Sequence, residues 1–312
     1  MREVKKIVIA GAGTMGSSMG ETFAKFGYDV VLYDIFDEAL EKAKNYIVLN
    51  QQTEISQNIV CKEDSDALLA RISYTKDKEH FKDADFVVEA VLEKIEVKHE
   101  FWGEVSKLVP EDAVLASNTS GLSITEIAKV IHKPERFGGM HWINPPHIIP
   151  LIEVIQGEKT TDENIQVIYD LAVKVGKKPV KVKDAPGFAL NRIQFAILRE
   201  CLHIAQSKIA SVEDIDKVMK YGLGIRYACL GPFQVADLGG LDIFNNIASY
   251  LFADLATEKE SFYLLKKCAE EKKFGVKSGA GFYDYSDGKD VEAIKYRDEM
   301  FTKIAKTLFE NE

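Results

Sequence analysis

The sequence predicts an open, doubly wound α/β sheet of mostly parallel strands, followed by an all-α second domain. Three observations carry that reading. Short, almost wholly apolar runs alternate with helix-like segments through the first half of the chain, as a parallel sheet covered on both faces requires. The first of these runs ends in a glycine-rich turn. After Lys178-Pro179-Val180-Lys181-Val182, read as the last strand, Asp184-Ala185-Pro186-Gly187 breaks the chain and only helical periodicity follows. The boundary is placed there, giving domains of residues 1–183 and 184–312. A chain of 312 residues that is 46% hydrophobic can bury a core in the larger of them.

Lys6-Ile7-Val8-Ile9-Ala10 is the first strand, and it ends at Gly11-Ala12-Gly13-Thr14-Met15-Gly16. Met19, Thr22, Phe23 and Phe26 then recur at helical spacing until Gly27. In this strand–turn–helix order Gly11 permits the tight turn, Gly13 lets the backbone approach a pyrophosphate, and Gly16 lets the helix lie close to the strand. The pyrophosphate sits on the helix N-terminus, where free N–H groups favour an anion. A second strand, Asp29-Val30-Val31-Leu32-Tyr33-Asp34, ends in an acid. Asp34 would accept hydrogen bonds from the adenosine ribose hydroxyls and repel a 2′-phosphate, so the expected cofactor is NAD rather than NADP.

Asp85-Phe86-Val87-Val88-Glu89-Ala90-Val91 reads as a buried parallel strand and Ile95 to Leu108 as a helix. Strand Ala113-Val114-Leu115-Ala116 leads into the polar turn Ser117-Asn118-Thr119-Ser120, at the strand end where open α/β sheets bind ligands. Met140-His141-Trp142-Ile143-Asn144-Pro145-Pro146 follows, and Leu151-Ile152-Glu153-Val154-Ile155 carries a single carboxylate in an apolar run. A buried carboxylate needs a partner. A His oriented by one is a general base, because the acid fixes the imidazole tautomer and stabilises the imidazolium. Taken alone, such a pair is more often structural than catalytic. Its company, a nucleotide loop and a polar strand end, turns the reading toward catalysis.

The second domain opens with a helix from about Phe188 to Ser207, whose apolar residues cover more than half its circumference. A small domain alone cannot bury such a helix, so a homodimer is expected. Helices over Val212–Lys220 and Phe233 to about Leu255 are separated by Gly222-Leu223-Gly224 and Gly231-Pro232, and the chain after Asp284 is charged and helix-prone.

Net charge is −9 with no Lys/Arg-rich block, which argues against nucleic acid as a partner. No apolar stretch reaches the roughly 18 residues of a membrane span. Cys61, Cys201, Cys229 and Cys268 lie far apart without metal-ligand spacing, so no metal is expected, and they read as reduced thiols. With no leader-like apolar segment near Met1, the expected compartment is the cytoplasm.

From Lys5 to about Tyr285 the chain resembles the 3-hydroxyacyl-CoA dehydrogenase family. The matching pieces are Gly11 to Gly16, Val87-Val88-Glu89-Ala90, Ala116 to Ser120, His141 with Asn144-Pro145, Leu151-Ile152-Glu153-Val154, Pro186-Gly187-Phe188 with Asn191-Arg192, and Gly281-Phe282-Tyr283. The resemblance implies a Rossmann-type NAD-binding domain and NAD-dependent oxidation of a secondary alcohol at C3 of an acyl chain. It makes His141 the base, Glu153 the residue that holds it, Ser120 and Asn191 the substrate contacts, and Asn144 the motif Asn beside the base. Gly11, Gly13, Thr14, Met15, Gly16 and Asp34 would bind the cofactor, with Glu93 and Lys98 facing its nicotinamide half.

The chain departs from the family pattern in places. Ser18 replaces a usual glycine, and cofactor binding is expected to survive it. No Lys or Arg occurs between Lys44 and Lys62, where many CoA-using members carry lysines for the CoA phosphates. Ile148-Ile149-Pro150, Gly222 to Ala228 and Tyr296-Arg297-Asp298-Glu299 are similar to the lambda-crystallin/L-gulonate 3-dehydrogenase branch, whose members oxidise free 3-hydroxy acids. There Arg226 would pair bidentately with a substrate carboxylate, or else cap a Gly-rich helix end. Two substrate classes therefore stay open: a short 3-hydroxyacyl-CoA such as 3-hydroxybutyryl-CoA, placed first, and a free acid resembling L-gulonate or carnitine. A non-catalytic NAD-binding protein would have no need of the His141/Glu153 pair.

Overall fold

Eight strands form one sheet in the spatial order β3-β2-β1-β4-β5-β6-β7-β8. They are β1 (Lys6–Ala10), β2 (Asp29–Tyr33), β3 (Ile72–Thr75), β4 (Phe86–Glu89), β5 (Val114–Ser117), β6 (Phe137–Trp142), β7 (Leu151–Gln156) and β8 (Lys178–Lys183). The structure, a computed structural model, describes residues 3–309. Ile7, Val8, Ile9 and Ala10 are all wholly buried, so β1 is covered on both faces. Its side chains alternate between two cores. Ile7 and Ile9 join Phe23, Trp142 and Ile168, while Val8 and Ala10 join Trp102, Leu115 and Ile127.

Helices α1 (Thr14–Lys25), α2 (Asp37–Ser56), α3 (Lys62–Ala70) and α6 (Asp162–Lys174) supply the first core, and α4 (Ile95–Leu108) and α5 (Ile124–Ile127) the second. This is the predicted doubly wound sheet, and α4 occupies the predicted span. Phe23 of α1 meets Trp142 edge to face at 5.5 Å, and burying a ring that size stabilises by about 2–3 kcal/mol. The chain runs outward through β1, β2 and β3, then returns to lay β4 on the other side of β1. That reversal makes the carboxyl ends of β1 and β4 the switch point where such sheets bind ligands.

All neighbouring strands are parallel except β6 and β7, which pair antiparallel with His141 opposite Glu153. The glycines of β6 are spatial necessities. A Cβ on Gly138 would lie 2.8 Å from Ile168 of α6, and one on Gly139 2.7 Å from Ile155 of β7.

The chain divides into two compact units, one ending at Arg192 and one beginning at Ile193. Residues 184–192 stay with the first unit for a visible reason. Asp184 accepts from the Ser123 hydroxyl and the Ile124 and Thr125 amides, and Glu153 accepts from the Ala189 and Leu190 amides.

The second unit is helical, as predicted. Helix α7 (Leu190–Gln206) leads into it, followed by α8 (Val212–Val218), α9 (Ile225–Cys229), α10 (Pro232–Gly239), α11 (Leu241–Leu251), α12 (Tyr263–Glu270) and α13 (Lys289–Phe309). Two expectations need correction. Gly222-Leu223-Gly224 does not separate helices; it lies within the π-helical segment Met219–Gly224, which joins α8 to α9. A Cβ on Gly224 would crowd the Met219 carbonyl at 2.9 Å, so glycine permits the wide turn rather than breaking it. Conversely, the single helix expected from Phe233 to about Leu255 is two, because Gly240 stands at φ +90°, outside helical geometry. Among the described residues no helix is long and apolar enough to cross a membrane.

Candidate active site

At the end of β1, Gly11 stands at φ +104°, and a Cβ there would lie 2.5 Å from the Ala90 carbonyl oxygen. A Cβ on Gly16 would lie 1.8 Å from the Gly11 carbonyl oxygen, so α1 touches the turn backbone to backbone. At Gly13 an added Cβ would meet nothing within 4 Å, which leaves open space over the helix N-terminus. Gly13 is the N-cap, no side chain caps the helix, and its first turn holds no acidic residue. The first N–H groups of α1 are thus left for an anion. Thr14 is exposed there and Met15 half-buried. Asp34, just past β2, accepts from the Ala12 amide at 2.8 Å and the Phe36 amide at 3.0 Å, which ties the acid to the loop. A cavity of about 490 Å³ opens beside them, lined by Gly13, Thr14, Ser17, Phe36, Lys42 and Tyr46. An open cradle, free N–H donors and an anchored acid fit the pyrophosphate and ribose of NAD. Ser18 is buried in α1, and its hydroxyl has no hydrogen-bond partner among the described residues.

His141 is 4% exposed and its Nδ1 lies 2.9 Å from Glu153 Oε2. Glu153 Oε1 accepts from the Ala189 and Leu190 amides, both at 2.9 Å, at the start of α7. Burial pushes the Glu153 carboxyl up. The bond to His141 and the two amides more than offset that, holding it below the usual carboxylate range. With both carboxylate oxygens occupied, the imidazole is fixed by Nδ1 and Nε2 is the nitrogen left for chemistry. Asn144 is exposed in the connection from β6 to β7. Lys177 pins that connection, donating to the Pro146 carbonyl at 2.5 Å and the Ile149 carbonyl at 2.9 Å. Burial pushes its pKa down to about 8.

The strand-end turn is equally constrained. Glu93 Oε1 accepts from the Thr119 hydroxyl at 2.5 Å and the Ser120 amide at 2.8 Å. Asn191 Nδ2 donates to the Ser120 carbonyl at 2.6 Å, so the two expected substrate contacts touch. Lys98 is 1% exposed and lies 3.1 Å from Glu93. Burial raises the Glu93 carboxyl, while Thr119, Lys98 and the Ser120 amide bring it below its ordinary value. Arg226 stands exposed in α9 of the second unit.

Two residues escaped the sequence reading in the roles they hold. Phe188, expected in the helix, precedes it at φ +51°, and its buried ring lies 5.8 Å from the His141 ring. A left-handed Phe is uncommon, and only the Pro-Gly before it hinted at irregular backbone. Glu89, read as part of an apolar strand, is wholly buried and paired with Lys98. A carboxylate in such a run was the same signal that singled out Glu153.

Fold, loop and acid together define an NAD-dependent oxidoreductase. The model of the 3-hydroxyacyl-CoA dehydrogenase NAD-binding domain matches residues 6–185, and that of the family's C-terminal domain matches residues 187–285. The chain belongs to the 3-hydroxyacyl-CoA dehydrogenase family. It is 37% identical over 285 residues to a 5-formyl-3-hydroxy-2-methylpyridine 4-carboxylate 5-dehydrogenase from Mesorhizobium japonicum, covering 91% of each chain. A probable 3-hydroxybutyryl-CoA dehydrogenase from Bacillus subtilis is 36% identical over 286 residues, which cover 91% of this chain and 99% of that one. Among solved structures, a 5-formyl-3-hydroxy-2-methylpyridine 4-carboxylic acid 5-dehydrogenase, described as an NAD+-dependent dismutase, superposes with a TM-score of 0.90 at 34% identity. That match covers 98% of this chain and 99% of the other.

Proposed function

We propose that the protein oxidises the secondary alcohol of a 3-hydroxyacyl substrate to the 3-oxo product, with His141 as the base. The observation that carries this is the buried His141–Glu153 pair at 2.9 Å, in the same sheet as a loop built for a dinucleotide. NAD, when bound, supplies the hydride acceptor. His141 Nε2 takes the hydroxyl proton, and the ionised Glu153 makes the resulting imidazolium less costly in a dry site. Ser120 and Asn191, joined by their own hydrogen bond, hold the substrate oxygens so that C3 faces the ring, with Asn144 beside the base.

The first substrate reading is a short 3-hydroxyacyl-CoA thioester, supported by relatives such as the Bacillus protein. A second, a small free acid, is favoured by two observations. The arm formed by α2 and α3, residues 37–70, carries seven carboxylates against three lysines, a poor surface for CoA phosphates. The solved pyridine-carboxylate dehydrogenase also superposes with a TM-score of 0.90, against 0.78 for the (S)-3-hydroxybutyryl-CoA dehydrogenase from Ralstonia eutropha. A panel of 3-hydroxybutyryl-CoA, 3-hydroxybutyrate, L-gulonate and carnitine, followed by NADH absorbance, separates them. If a free acid is the substrate, Arg226→Met removes a charge-assisted contact worth ~1.5–3 kcal/mol, read as lost kcat/KM. Turnover of acyl-CoA alone, with Arg226→Met silent, would retire the free-acid reading; no turnover across the panel would count against both.

The working form we propose is a cytoplasmic homodimer held by the second unit, with a small-molecule substrate and neither nucleic acid nor membrane as partner. Helices α10 to α13 bury no residue, and Phe233, Leu238 and Phe252 are 85%, 78% and 70% exposed. Apolar cover on that scale marks an interface. Sedimentation at micromolar concentration should show a dimer, and a monomer there would contradict the assignment.

A further inference from the structure

Glu89 is 0% exposed at the carboxyl end of β4, and the proton transfer proposed above makes no use of it. A carboxylate in that position is strongly disfavoured unless every lone pair is met. Its Oε1 accepts from Lys98 Nζ at 2.5 Å and the Val91 amide at 3.0 Å. Its Oε2 accepts from the Ser117 hydroxyl at 2.8 Å and the Trp102 indole at 3.2 Å. Lys98 reaches on to Glu93 at 3.1 Å, and Glu93 holds the Thr119 hydroxyl and the Ser120 amide. Polar contacts thus run unbroken from a wholly buried acid to the turn that carries Ser120.

The charges in this chain do not cancel. Two carboxylates share one ammonium, and the remaining donors to them are neutral. The excess negative charge lies at the end of β4, across the switch point from Asp34 at the end of β2. A dinucleotide laid over that point with its adenosine ribose at Asp34 brings its nicotinamide to the β4 side.

We propose that Glu89 is a positioning residue: through Lys98 it fixes Glu93 and the Thr119–Ser120 turn, and it leaves a net negative charge beside the nicotinamide that favours the oxidised, cationic ring over the reduced, neutral one. The proposal needs bound NAD and no substrate, so its test is independent of the substrate assignment.

Dissociation constants of NAD+ and NADH, measured by fluorescence titration of the full chain without substrate, provide that test. Glu89→Gln should weaken NAD+ binding about tenfold while changing NADH binding about twofold or less, because a buried unit charge acts through a low effective dielectric on the charged ring only. A structural role alone would lower the melting temperature or weaken both forms alike. Glu89→Asp keeps the charge and should restore the ratio even if its melting temperature stays low. An amide facing the Lys98 ammonium is itself a burden on folding, so Glu93→Gln is measured alongside. Its side chain is 43% exposed, and it removes one charge from the same group. It should shift the ratio in the same direction, whereas Ser117→Ala, which removes a neutral donor, should not. A ratio of NAD+ to NADH affinity unchanged in Glu93→Gln and in folded Glu89→Gln would overturn the proposal.

Discussion

His141→Ala is expected to lower turnover by about a hundredfold or more, the usual contribution of a positioned acid–base group, while leaving NAD affinity nearly unchanged. The imidazole is held through Nδ1 by Glu153 at 2.9 Å, and Glu153 is held in turn by two backbone amides. Alanine removes the proton acceptor without touching the glycine loop, so the loss should fall on kcat. The carboxylate that holds the imidazole carries a pH dependence of stability. Its folded pKa is lowered, so its stabilising charge is present above the ordinary carboxylate range and is lost only as pH falls through the depressed value. The share of stability that Glu153 contributes should therefore persist until pH falls below the ordinary carboxylate range. Melting curves at successive pH values check this; a His141→Ala enzyme with near-normal kcat at neutral pH would refute the base assignment.

Gly16→Ala should lower NAD affinity about tenfold or more and stability by about 1–3 kcal/mol, the cost of forcing an extra methyl into packed space. The added Cβ would stand 1.8 Å from the Gly11 carbonyl oxygen and 3.0 Å from its carbon, both backbone atoms. Gly11 cannot retreat freely, because its own Cα faces the Ala90 carbonyl closely enough that a Cβ there would lie at 2.5 Å. Relief must come from moving the start of α1, and with it the N–H groups that meet the pyrophosphate. Gly13→Ala is the discriminating companion, since nothing in the protein lies within 4 Å of that Cβ. It should melt like the parent and lose cofactor affinity only. Isothermal titration with NAD and differential scanning calorimetry separate the two variants; normal NAD binding by Gly16→Ala would mean the loop does not carry the cofactor.

The parts of the fold that were legible in the sequence are those where local pattern and tertiary role coincide. β1 is apolar from Ile7 to Ala10 because both faces are covered there, and α4 keeps its predicted C-terminal end because a Pro follows it at 110 and a strand begins soon after. Glu153 was legible because a carboxylate in an apolar strand requires a partner. That His141 is the partner rests on β6 and β7 pairing antiparallel, which no local pattern states. The features that escaped depend on space rather than composition. Gly224 and Gly240 look alike in the chain, yet one fits a widened helical turn and the other ends a helix at φ +90°. Phe188 reads as helical apolar cover until the positive φ aims its ring at His141.

The antiparallel register that sets His141 opposite Glu153 has a consequence for how the base is made ready. The two residues face each other across one sheet, and a slip of a single position in either strand would turn its side chain to the opposite face and part the pair. Preorganisation of the imidazole is therefore completed when the sheet forms, and no substrate contact is needed to align it. Residues on mobile loops lose alignment by small excursions. This pair can lose it only by parting β6 from β7, where Met140, Trp142, Ile152 and Val154 are buried on either side, so the base stays aimed up to the temperature at which that part of the sheet opens.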